Sequence, residues 1–332
     1  MNIRLTKSTP CPCESGKPAV ECCVRGDHAN KRPSSIVVSK PSTGFANPKC
    51  YARLTNDCSS KMSREHYISH TVLKAIAQDG LVKLDGFSWQ KQKAAWIPSA
   101  TLARRILCKR HNEALSPLDA EAGRFMRAVR DFHANLSSGR TRDEVRSFAG
   151  EDLEKWMLKT LTGMVASGNV VGLNDVPEPW INQLFRCNPL HEPLGLYLDR
   201  SAEVRLGRHF YFQPTFYGKE GLVTAEMHVH GLQFFLLVAP QAGVPYHAAL
   251  YRPGFIALKR AGATKLVDLS WQDERYTAGI TFEHSGRYAD TQKPAPTTRP
   301  LWSLGWGRAW DPIFTFHSPI RNHGLNLKCI NV

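Results

Sequence analysis

The sequence predicts an α+β chain: a small cysteine-rich motif at the N-terminus, a core built around a second Cys/His group, a helical connector, and a mostly antiparallel β half. Three observations carry this reading. Cysteines cluster from Cys11 to Cys58 and recur at Cys108. Apolar spacing is helical between residues 120 and 164. From about residue 195 the period changes to alternation broken by glycine turns.

The first element is CPCESGKPAVECC, with Cys11, Cys13, Cys22 and Cys23 in a C-x-C-x8-C-C pattern. Four thiolates at this spacing satisfy a tetrahedral site, and Ser15-Gly16 permits the turn that folds the pairs together. The pattern resembles the SEC-C motif, which implies Zn²⁺. A segment this small cannot bury a core without metal, so ion binding is its folding energy. Two disulfides are the alternative, disfavoured because nothing else in the chain looks secreted. Lys17, Arg25, Lys31 and Arg32 make the motif basic, able to meet a protein partner's acidic surface or a phosphate backbone. The motif is assigned residues 1–25, and residues 26–49, rich in Ser, Pro and Lys, read as a linker with at most a short strand.

The core, residues 50–135, contains two blocks: SREHYIS at 63–69 and ILCKRHNEALSPLD at 106–119. Together they resemble the HNH endonucleases of the ββα-metal class, a treble-clef-like fold. His111 stands where a second knuckle cysteine usually sits, and imidazole is also a zinc ligand. The resemblance implies that His66 is the general base activating water, because an unperturbed imidazole is mostly neutral at pH 7. It implies that Glu65 and Asn112 hold a single Mg²⁺ or Mn²⁺. On a helix Asn112, Ser116 and Asp119 share a face, which makes Asp119 a third ligand candidate unless Pro117 bends that helix. Cys50, Cys58, Cys108 and His111 are expected to form a second structural Zn²⁺ site. Against these roles stand plainer ones: His66 as a partly exposed strand residue, and Asp119 as an acid serving the helix dipole. The long gap between His66 and Cys108 holds a helix at 71–79 and an aromatic segment at 86–96, an insertion suited to substrate or partner contact.

Beyond Asp119, Phe125, Val129 and Phe132 share one helical face over residues 120–136. A second helix is expected to start near Arg142 with Thr141 as N-cap and to run through EDLEKWMLKTLTGMVAS, making residues 136–190 a buried connector. Residues 191–332 read as a β-rich recognition or regulatory domain, with weaker strands near 254–258, 264–269 and 313–317. Within it, His228 and His230 would project from one strand face as ordinary, partly exposed histidines. Trp302, Trp306 and Trp310 with Arg308 suit aromatic packing before base stacking. Cys187 and Cys329 are left as ordinary thiols.

Composition bears on partners. With 43 Lys and Arg against 29 Asp and Glu, a formal charge of +14 and pI near 9.5, the chain is attracted to polyanions. Arg64, Lys109, Arg110 and Arg124, beside or just beyond the two blocks, are the expected nucleic-acid contacts. DNA is favoured over RNA only by the resemblance. No run approaches the ~20 apolar residues of a membrane span and the first residues lack an apolar signal region, so a cytoplasmic protein is expected. A homodimer and a role against foreign DNA are compatible with this reading. The rival from another class is a non-catalytic zinc-binding adaptor that docks nucleic acid or protein through its basic surface.

Overall fold

A computed structural model describes residues 9–25, 28–77, 80–85, 94–140, 142–170, 173, 175–186, 189–200, 209–216, 222–239, 249–272 and 278–284. The expected strand at 313–317, the tryptophan cluster, Cys187 and Cys329 lie outside the described residues, as does most of the 86–96 segment. All described residues belong to one compact unit, Met1–Asp290.

In chain order the elements are β1 (Val24–Arg25), β2 (His28–Ala29), β3 (Met62–His66), α1 (His70–Ile76), β4 (Leu81–Asp85), β5 (Ala94–Pro98), β6 (Ala103–Cys108) and α2 (Lys109–Ser137). There follow β7 (Glu144–Ala149), α3 (Gly150–Ala166), α4 (Glu178–Phe185), β8 (Gly195–Asp199), β9 (His209–Phe216), β10 (Leu222–Val229) and β11 (Leu232–Leu237). The last are β12 (Ala249–Tyr251), β13 (Phe255–Arg260), β14 (Ala263–Ser270) and β15 (Ile280–Glu283). The α+β expectation is met.

A seven-stranded sheet runs in the order β12-β8-β11-β10-β9-β4-β5 and a four-stranded one in the order β15-β13-β14-β7. The strands after residue 191 therefore do not form sheets of their own: β4, from the insertion, lies parallel to β9, and β7 lies parallel to β14. The alternation seen in sequence is a one-sided burial. Phe210 and Phe212, Ala225 and Met227, and Phe234 and Leu236 face the core, while Tyr211, Glu226 and Gln233 face out. A two-residue turn, His230-Gly231, joins β10 to β11, and both residues have positive φ (47° and 80°). That is the backbone a type I′ hairpin requires. It also separates the expected histidine pair, since His228 is half-buried beside Glu226 and His230 is buried in the turn.

Two expectations are corrected here. EVRSFA at 144–149 is strand β7 and not the start of a helix; its register with Lys265 to Ser270 supplies the backbone hydrogen bonds that a helix would otherwise make internally. Helix α2 is unbroken over 29 residues despite Pro117. Proline removes the hydrogen bond to the carbonyl of Glu113, and Ser116 Oγ donates to that carbonyl at 2.8 Å instead.

Helix α2 lies at the centre of the core, burying Leu115, Leu118, Ala122, Phe125, Met126, Val129, Phe132 and Leu136 at helical spacing. Helix α3 packs on it, with Trp156 and Leu161 buried, and its first residue, Gly150, lies under the Trp271 indole. A Cβ at that position would overlap the ring. Gly150→Ala is expected to cost about 1–3 kcal/mol by overpacking, seen as a lowered Tm in a circular dichroism melt.

His133, on α2, is fully buried beside the backbone of His230. Its ring lies 5.0 Å from that of His284. Burial first, then His284 and His230, push its pKa down to about 3 from 6.5. The folded chain keeps this ring neutral while the unfolded chain protonates it, so stability falls as pH drops from about 6.5 toward 3. His133→Leu should flatten that decline in urea unfolding measured across the pH range.

Candidate functional site

The site is assembled from the loop before β3, the antiparallel pair β3–β6, and the N-terminal half of α2. Cys50 and Cys58 lie in the loop, Cys108 ends β6 as the N-cap of α2, and His111 sits in its first turn. All four are buried, and their ligand atoms lie within 4.8 Å of one another. His111 Nδ1 is 3.1 Å from Cys108 Sγ and 3.7 Å from the sulfurs of Cys50 and Cys58. A tetrahedral zinc ion with Zn–S of about 2.3 Å and Zn–N of about 2.0 Å would set these edges at about 3.5 Å. The other imidazole nitrogen, Nε2, is 2.9 Å from Thr55 Oγ1, which leaves Nδ1 for the ion. Backbone amides of Ser59 and Cys108 each donate to a cysteine sulfur at 3.4 Å, a pattern that stabilises thiolates.

Cys11, Cys13, Cys22 and Cys23 form a second such group, with Cys22 exposed and the rest buried. Sulfur separations of 3.5 Å (Cys13 to Cys22) and 3.6 Å (Cys22 to Cys23) suit a shared ion. The seven described cysteines form no disulfide. Both groups can hold a metal ion, and their donors are those of zinc. The N-terminal group is not a free knob. Pro12 accepts a backbone hydrogen bond from Ser147 at 3.0 Å, and Glu14 pairs with Arg146 at 3.1 Å and Arg124 at 3.7 Å. The segment expected as a linker is tied down as well, Lys31 to Glu121 at 2.5 Å and Ser34 to Asp152.

Around the buried group the other predicted residues separate. His66 ends β3, half-buried, with its ring stacked 5.1 Å from that of the exposed His70. Burial first, then the neighbouring His70 and Arg64, holds its pKa below the usual 6.5, so the ring is neutral and able to accept a proton at pH 7. Asn112 is partly exposed and donates to Ser63 Oγ at 2.9 Å, which ties α2 to the strand carrying His66.

Glu65 is 5% exposed and faces the interior. Its carboxylate meets the Lys159 ammonium at 2.5 Å, and Asp119 meets the same nitrogen at 2.6 and 2.7 Å. Asp119 also accepts from Ser69 Oγ, whose oxygen accepts from the Trp156 indole at 2.6 Å. Glu65, Asn112 and Asp119 thus do not converge on an open seat for a hard divalent ion: two of them share an ammonium, and the third bonds a serine.

Lys159 is the residue that sequence reasoning missed. Its signal is a lysine at the apolar spacing of Trp156 and Gly163 on α3.

Of the expected nucleic-acid contacts, Arg64 and Lys109 are exposed, joined by Lys61, Arg104 and Arg105 on the same β3–β6 unit. Arg110 and Arg124 are spent internally. Arg110 bonds Asp57 and the carbonyls of Ser39 and Pro41. Arg124 binds Glu121 at 2.9 Å and lies 3.9 Å over the Phe148 ring.

Among the described residues no helix is long and apolar enough to cross a membrane. No family model, no curated protein and no solved structure matches this chain.

Proposed function

We propose that the chain is an HNH-type endonuclease that hydrolyses phosphodiester bonds of nucleic acid, DNA in preference to RNA, with two structural zinc ions and His66 as general base. The observation that carries the reading is the β3–β6–α2 unit. Its Cys50/Cys58/Cys108/His111 group pins two strands to a helix, with a neutral, half-buried His66 at the strand end. His66 would take a proton from the attacking water, while Asn112 fixes β3 through Ser63. Exposed Lys61, Arg64, Arg104, Arg105 and Lys109 give a polyanion its electrostatic footing. The family's Mg²⁺ or Mn²⁺ does not fit the Glu65 and Asp119 carboxylates, which are both occupied by the Lys159 ammonium.

That same ion-paired arrangement favours a second reading, a non-catalytic adaptor that binds nucleic acid or a protein partner through the basic surface. Nicking of supercoiled plasmid by the full, zinc-loaded chain, with and without added Mg²⁺ or Mn²⁺, separates the two. Strand scission supports the endonuclease. Plasmid binding without scission in any condition supports the adaptor.

A further inference from the structure

Three elements that are far apart in sequence contribute one charged group each to a single buried point: Glu65 from β3, Asp119 from α2 and Lys159 from α3. The lysine side chain is 2% exposed, the Glu65 side chain 7% and the Asp119 side chain 21%. The ammonium is held at 2.5 to 2.7 Å by three carboxylate oxygens, and Asp119 is fixed further by Ser69, backed by Trp156. The Asp119 main-chain carbonyl accepts from Thr71 Oγ1 at 2.6 Å, so the acid cannot shift without disturbing α1.

Two carboxylates around one cation make the geometry of a cation seat. Hard divalent ions choose such oxygens, at about 2.1 Å for Mg²⁺. The centre of this seat, however, is a covalently tethered nitrogen. We infer that the Lys159 ammonium is the resident cation of this site, and that a divalent ion can bind Glu65 and Asp119 only in its place.

Burial opposes the charge on Lys159, yet Asp119 and Glu65 together hold its pKa above the usual lysine value, so it stays an ammonium. On the endonuclease reading, on which only this consequence rests, Glu65 and Asp119 act as positioning residues. They clamp the strand bearing His66 to α2 and α3, and any divalent ion serving the reaction is held by other groups.

The test is Mn²⁺ binding, read by electron paramagnetic resonance on the full zinc-loaded chain, for wild type, Lys159→Ala, Glu65→Gln and the double variant. Wild type and Glu65→Gln should bind Mn²⁺ equally weakly. Lys159→Ala should bind about one ion per chain at least about tenfold more tightly, and adding Glu65→Gln should abolish the gain. Wild-type binding that Glu65→Gln removes would overturn the inference, and so would a folded Lys159→Ala chain that gains no affinity. Should Lys159→Ala fail to fold, Lys159→Met, which keeps the volume of the stem, takes its place, and the wild-type comparison with Glu65→Gln stands by itself. Absence of plasmid nicking would sink the endonuclease reading and leave the Mn²⁺ result untouched.

Discussion

Replacing His66 with alanine is expected to reduce plasmid nicking by about 10²–10⁴-fold, the usual contribution of a positioned general base, without changing the zinc content. The two halves of this prediction rest on different observations. His66 belongs to neither Cys/His group, so its loss removes no structural ligand. Its ring is half-buried and stacks on that of the exposed His70, so truncation opens little space in the core. A loss of activity in a protein that keeps its zinc and its melting temperature therefore reports chemistry and not folding. The check is a time course of nicking by both proteins, with metal content measured on the same samples. Equal rates would remove His66 from the mechanism.

The second large effect is on stability. Cys108→Ala should abolish cooperative folding of the main core, whereas Cys13→Ala should melt only the N-terminal motif. Structural zinc contributes about 10–16 kcal/mol in small zinc-dependent folds, comparable with the ~5–15 kcal/mol that holds a whole domain together. Where the loss falls depends on what each group is packed against. Cys50, Cys58 and Cys108 are part of the large hydrophobic cluster containing Phe125, Trp156 and Phe210, while Cys11, Cys13 and Cys23 form a separate small cluster with Ala19. Each variant should lose one zinc per chain. Far-UV circular dichroism melts should show a broad, early transition for Cys108→Ala and a near-native one for Cys13→Ala. Identical melts would mean that the two groups do not differ in structural weight.

What could be read from the sequence was local. Cysteine spacing identified the N-terminal group, and the resemblance of the 106–119 block to a zinc knuckle pointed to the second; the structure brings both sets of donors together. Even Cys50 and Cys58, at an unusually wide spacing, came in through their partners Cys108 and His111. Alternation announced β8 to β11, and the apolar face of α2 was visible from Phe125 to Phe132. Features set by distant partners were not legible. EVRSFA has no period of its own that excludes a helix, and its strand state is decided by β14, more than a hundred residues later in the chain. The charges behaved alike. Glu65, Asp119, Arg110 and Arg124 read as functional because sequence shows a charge and not its partner, and Lys159 was overlooked because a lysine on an apolar face looks like noise until both carboxylates are in place.

The join between β4 and β9 carries a consequence for how the protein is made. Residues 81–85 lie close behind His66 in the chain, yet their second sheet neighbour is 209–216, so on the ribosome β4 must wait for well over a hundred further residues before that edge is covered. Until then the β4–β5 pair is an open two-stranded ribbon with unpaired backbone groups on the β9 side, marginal by itself and prone to foreign pairing. Release of a product that stops short of residue 209 would leave this edge bare, so incomplete chains should be preferred targets for chaperones and proteases, and the segment that follows His66 matures only when the full sheet has been translated.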